Sequence, residues 1–136
     1  MEKLLEKLRE SGSSCIVQSA GGETRYFRQR GVADLYSLVC SDPAFLKGAT
    51  IADKVVGKAA AALMIKGGVA SVYTNMISEP AAGLLAGSAI KVSYGQIVHH
   101  IENRSRTDWC PLEKLLYRES SIEKIFTVIS DFIANL

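Results

Sequence analysis

The sequence predicts a single α/β domain of two or three layers, and three observations carry that expectation. Short runs of β-branched and aromatic residues alternate with stretches of helical periodicity, which implies parallel strands joined by helical crossovers. Gly, Pro or Asp punctuates almost every boundary between them. The length, 136 residues with 48% hydrophobic and 22% charged, suits one core and excludes disordered, collagen-like and coiled-coil chains.

Leu4, Leu5 and Leu8 recur at helical spacing with Glu2, Lys3, Glu6 and Lys7 on the other face. This predicts an N-terminal helix over 1–12, stopped by Gly12 and capping the core. Ser14–Ser19 and Thr24–Arg28, separated by Gly21-Gly22, read as a β-hairpin. Leu35, Leu38 and Val39 then mark a helix over 31–40 that Asp42-Pro43 ends. A longer helix is expected over 50–66, opened by a capping box of Thr50 and Asp53 and closed by Lys66 and Gly67-Gly68. Its rows are Ile51, Val55, Ala59, Leu63 and Ala52, Val56, Ala60, Met64, and its alanines let it pack close to a sheet.

Val69–Thr74 reads as the next strand, Ser78-Glu79-Pro80 as the start of a helix ending near Gly87, and Ala89–Tyr94 as a further strand. Residues 96–106 suit either a helix or a strand. Pro111–Tyr117 and Ile122–Phe132 are expected helices; the second has a broad apolar face that must dock on the core or on a partner.

Sixteen basic against fourteen acidic residues leave a net charge of +2, too balanced for an electrostatic nucleic-acid or membrane-surface binder. The charges of the first eight residues break any signal-peptide core, and Lys58 and Lys66 interrupt the most apolar stretch, so neither export by that route nor a membrane span is expected. Cys15, Cys40 and Cys110 lack paired spacing and fit reduced cytoplasmic thiols, the first two as core residues.

Chemistry has two candidate seats. The helix starts at Thr50–Asp53 and Ser78–Pro80 would converge at one sheet edge, where free amides and dipoles favour an anion or carbonyl, with Asp53, Glu79, Lys54 and Lys58 beside them. The competing reading makes these acids ordinary first-turn residues and the lysines solvated. Cys110 precedes Pro111 at another helix start, with Arg104 and Arg106 close in sequence, a setting that lowers thiol pKa. A buried inert thiol is the alternative. His99 and His100, the two histidines, are adjacent and should point to different sides, and no zinc-type spacing occurs, so no metal site and no cofactor are expected.

Three strings, Lys47–Ala61, Ile77–Ala81, and Asn103-Arg104 followed by Cys110–Glu113, resemble a bacterial family of unknown function with a cytidine-deaminase-like fold. The resemblance covers roughly residues 24–117 and leaves the C-terminal helix of 120–136 outside. It implies a central mixed sheet of four to five strands with helices on both faces, a three-layer α/β/α arrangement. Zinc deaminases place His-x-Glu at one helix start and Pro-Cys-x-x-Cys at the next. This sequence offers Ala52-Asp53-Lys54 and Pro80-Ala81-Ala82-Gly83-Leu84, so zinc-dependent deamination is not expected. The family's stretch before Cys-Pro contains glycine, where Arg106 and Asp108 stand here.

The first functional expectation is therefore a zinc-free deaminase-fold domain holding a small polar or nucleotide-like ligand with Asp53, Lys54, Lys58, Glu79, Asn103 and Arg104. A second is a metal-free transferase with Cys110 as nucleophile. A third is an interaction module whose C-terminal helix docks on another chain, a homodimer included. Nucleic acid and membrane are not expected partners.

Overall fold

The computed structural model describes residues 2–29, 32–103 and 105–136. Among them, seven helices and five strands run α1 (Glu2–Ser11), β1 (Cys15–Gln18), β2 (Thr24–Phe27), α2 (Ala33–Ser41), α3 (Pro43–Leu46), β3 (Thr50–Val56), α4 (Lys58–Gly67), β4 (Ser71–Ser78), α5 (Glu79–Ala86), β5 (Lys91–Val98), α6 (Pro111–Leu116) and α7 (Ile122–Ala134). The sheet order is β2-β1-β3-β4-β5. β1 pairs antiparallel with β2 and β3, whereas β3, β4 and β5 are parallel. This is a mixed α/β domain with layers on both sheet faces, as the alternation of strands and helices predicts.

α4 is the hub of one face. Ala59 to Met64 are all buried, because the sheet lies on one side and α2, α5, α6 and α7 surround the others. Its four alanines allow that crowding, and Gly67 lies so close to α3 that a Cβ there would meet Leu46 Cδ1 at 2.9 Å. Gly68 closes the helix in the left-handed conformation at φ 75°. α7 spends its apolar stripe on the same core. Ile125 and Ile129 are fully buried, and the partly buried Phe126, Phe132 and Ile133 pack against the cluster, so much of the apolar face is spent within the chain. On the opposite face, Leu4 and Leu8 of α1 pack on Ile16 and Ala52.

The helix expected over 50–66 is a strand followed by a helix. Thr50–Val56 pairs with β1 on one side and β4 on the other, so Thr50 caps no helix and Asp53 lies inside the sheet. β-branched Thr50, Ile51, Val55 and Val56 favour the strand, and Gly57, extended at φ −99° and ψ −178°, makes the turn into α4. The period-2 signal is hidden by a kink. Ile51 and Val56 both face the main core, as do Val72 and Ile77, although each pair is five positions apart, an odd offset that strict alternation would send to opposite faces. The register joins Asp53 to Thr74 and resumes with Val55 and Met76. At the same level Asp53 Oδ1 accepts from the Val55 amide at 3.4 Å and Thr74 Oγ1 from the Met76 amide at 3.3 Å. Two adjacent strands thus bend together, and Gly95 of β5 lies where a Cβ would stand 3.0 Å from the Asn75 carbonyl.

Other boundaries shift less. β4 and β5 each extend about four residues beyond their expected ends, which settles residues 96–98 as strand. α3 was not anticipated, and Gly31, where the preceding helix was expected to begin, lies outside the described residues. Cys15 is buried as expected, but Cys40 is exposed on the outer side of α2.

Candidate functional site

β3 and β4 are parallel neighbours, so the helices that follow them, α4 and α5, start side by side at one end of the sheet. Convergence of two helix starts therefore holds, with the first start at Gly57-Lys58 rather than at Thr50. Neither start is vacant. Ser78 Oγ accepts from the Ala81 amide at 3.3 Å and caps α5. At α4 the cap is a distant carboxylate: Glu113 Oε1 accepts from the Lys58 amide at 2.8 Å, and its Oε2 from the Ile101 amide at 2.7 Å. Glu113 is 2% exposed, and a Cβ on Gly57 would crowd its oxygens at 3.4 and 3.6 Å. The anion that this start favours is supplied by the protein itself.

Lys58 completes the exchange. Its Nζ, part-buried at the end of a buried side chain, donates to the Tyr117 carbonyl at 3.0 Å, so α4 receives a carboxylate from α6 and returns an ammonium to the carbonyl end of α6. Burial pushes the Lys58 pKa down, opposed by the charges of Glu113 and Glu119. This lysine is a clamp between helices rather than a solvated group.

The remaining expected site residues are scattered. Asp53 is partly buried at the centre of β3, across from Cys15, and burial lifts its carboxyl from the ordinary 3.8 to about 7 against the amides of Val55 and Lys54 and the Cys15 thiol. Burial, followed by the charges of Asp53 and Asp34, holds the Cys15 thiol well above its usual range. Lys54 and Glu79 are exposed, on β3 and at the first position of α5. Asn103 ties its own loop, its Oδ1 accepting from the Thr107 amide at 3.0 Å. Arg104 lies outside the described residues. Cys110 precedes Pro111 as expected, but it packs against the core and forms no side-chain cap bond on the six-residue α6.

Sequence reasoning set aside the residues that cluster most openly. Beyond β5, His99 and His100 occupy a bend, where the alternation that separates neighbours in a strand no longer applies. Their Nδ1 atoms are 3.2 Å apart. Trp109 stacks on His100 with centroids 4.1 Å apart and planes 11° apart, and Tyr117 Oη lies 3.3 Å from His99 Nε2. These four rings crown the end of the sheet at which the parallel strands finish, held there by the Glu102–Trp109 bridge and by α6. The available signal was compositional: the single tryptophan and both histidines fall within eleven residues, 99–109.

Two surface hollows lie elsewhere. One, of about 360 Å³, is lined by Ala82, Leu85, Ser88, Ile90, Val92 and Tyr94 between α5 and β5. The other, of about 270 Å³, lies among Lys7, Glu10, Ser11 and Tyr26. Among the described residues no group of three or more His, Cys, Asp and Glu side chains converges as a metal cage, and no helix is long and apolar enough to cross a membrane.

No curated protein matches the chain. A solved structure does: the crystal structure of a DUF1893 family protein (TM1506) from Thermotoga maritima is similar over 96% of this chain and 87% of that one, at 23% identity and a TM-score of 0.86, a likeness of fold. The family model described as TM1506, domain of unknown function (DUF1893), matches residues 3–133, which takes in most of α1 and of α7 and so reaches well beyond the 24–117 of the sequence resemblance. On that near-complete match, the chain belongs to the DUF1893 family of domains of unknown function.

Proposed function

We propose that this protein is a zinc-free member of the cytidine-deaminase-like fold that binds a small nucleotide-like ligand through the ring cluster of His99, His100, Trp109 and Tyr117. Two features support the deaminase-like reading: the parallel β3-β4-β5 unit and the two helices starting side by side behind it. The α4 start reads Gly57-Lys58-Ala59 and the α5 start Pro80-Ala81-Ala82-Gly83-Leu84, which supply neither His-x-Glu nor paired cysteines, so hydrolytic deamination through bound zinc has no ligand set at those starts.

The observation that carries the binding reading is the position of the rings. In sheets of parallel strands, ligands sit beyond the carboxyl ends of the strands, and these rings occupy that end. Aromatic faces hold a planar base by stacking worth about 1–3 kcal/mol per base. With the α4 amides already bonded to Glu113, affinity comes from stacking and from polar edges of the imidazoles and Tyr117 Oη. This moves the ligand away from Asp53, Lys54 and Glu79 toward the loop that Asn103 ties.

The experiment is a thermal-shift and Trp109 fluorescence screen on chelator-treated protein with nucleosides, nucleotides and sugar phosphates. A ligand at ten times its Kd adds about 1.4 kcal/mol of stability, a rise of about 5 °C for a domain of this size. Ligands with an aromatic base should shift both signals, sugar phosphates neither, and Trp109→Ala should abolish the thermal shift. Stabilisation by sugar phosphates alone, or by no compound, overturns the reading.

A further inference from the structure

We infer that His99 and His100 form a two-imidazole chelate for a divalent transition ion, a site separate from either helix start and from any deaminase-type metal position. The spacing of the two Nδ1 atoms, 3.2 Å, is the first observation. A metal bound at about 2.05 Å to each of two imidazoles subtends about 103° across that separation, inside the range of tetrahedral and octahedral ions.

The second observation is that both rings are oriented by neighbours. His99 places Nε2 3.3 Å from Tyr117 Oη; with the proton on Nε2 donated to that oxygen, Nδ1 carries a bare lone pair. His100 is fixed by its stack on Trp109, 4.1 Å between centroids, and Trp109 in turn meets Tyr117 edge-on at 5.0 Å. Without metal, one Nδ1 proton bridges the two rings. On binding, that proton moves to Nε2 of His100, both Nδ1 atoms coordinate, and solvent water fills the remaining positions. No oxidation or reduction is involved.

Neutral imidazole donors with water favour zinc, nickel and copper over magnesium or calcium. Two protein ligands rather than three or four make the binding weaker than that of a structural zinc.

Trp109, the single tryptophan, is the built-in reporter. Metal-free full-length protein is titrated with Ni²⁺ at pH 7.5 while its fluorescence is followed. Saturable quenching is expected, with recovery when excess diamagnetic Zn²⁺ displaces the nickel. His99→Ala, at an exposed position 5.7 Å from the indole, keeps the His100–Trp109 stack and should weaken binding at least about tenfold. Magnesium should neither quench nor compete. Quenching that fails to saturate by 1 mM Ni²⁺, or that is the same in His99→Ala, overturns the site. The ligand screen above is run with chelator present, so either proposal can fail while the other stands.

Discussion

Replacing Asp53 by Asn should make this protein more stable at neutral and alkaline pH. Asp53 lies inside the sheet, paired across the register with Cys15 and Thr74, and its burial raises the carboxyl pKa from 3.8 to about 7. The folded state therefore holds the proton more tightly than the unfolded chain does. Below pH 3.8 both states are protonated and the burial of Asp53 costs nothing in charge. Between 3.8 and about 7 the unfolded chain ionises while the folded protein does not, so stability falls as pH rises, then levels off above 7. At 1.36 kcal/mol per pH unit the full window amounts to about 4 kcal/mol, and partial solvent access at the side chain reduces this to about 2 kcal/mol. Asn keeps the shape and an oxygen to accept from the Val55 amide, and it has no charge to bury. Urea denaturation of both proteins from pH 4 to 8.5 is the assay. The variant-minus-parent stability should be near zero at pH 4 and about +2 kcal/mol at pH 8. A difference that stays flat with pH, or a variant less stable at pH 8, would refute the account of Asp53 as a carboxylate ionised at a cost in the sheet.

Glu113→Ala removes a buried acceptor from two backbone amides and should cost about 3 kcal/mol in urea denaturation, with amide exchange accelerated at Lys58 and Ile101; Glu113→Gln, whose single carbonyl oxygen serves only one of the two, should fall between it and the parent. Among the described residues, Arg106 is the non-glycine residue held at positive φ, 58°. Arg106→Gly should raise the melting temperature slightly, by up to about 1 kcal/mol of stability, whereas Gly48→Ala, at φ 75° with a Cβ 3.3 Å from that of Ala20, should lower it by about 1–2 kcal/mol.

What could be read from the sequence follows from how local its physical cause is. Gly12 at φ 70°, the Gly21-Gly22 hairpin, Gly68 at the end of α4 and Ser78 capping α5 are events within a few residues, and each stands where the sequence places it. Thr50–Val56 could not be decided that way. Its residues satisfy a helical i, i+4 row as well as any strand pattern, and the kink at Asp53, shared with Thr74 on the next strand, erases the alternation that would have identified it.

The site failed to show for a related reason. A helix start attracts an anion only while its amides are free, and whether they are free depends on the whole chain. Glu113 stands 55 residues beyond Lys58, and nothing local to either residue announces the bond. The same holds for the rings. His99 and His100 are adjacent in sequence, but their convergence depends on Trp109 and Tyr117, delivered by a bridge at Glu102 and by the helix that also carries Glu113. α6 thus closes the α4 start with one side chain and assembles the ring cluster with its last turn. Filling the one seat and building the other are consequences of the same docking, which is why a perturbation at Glu113 should be felt at Trp109.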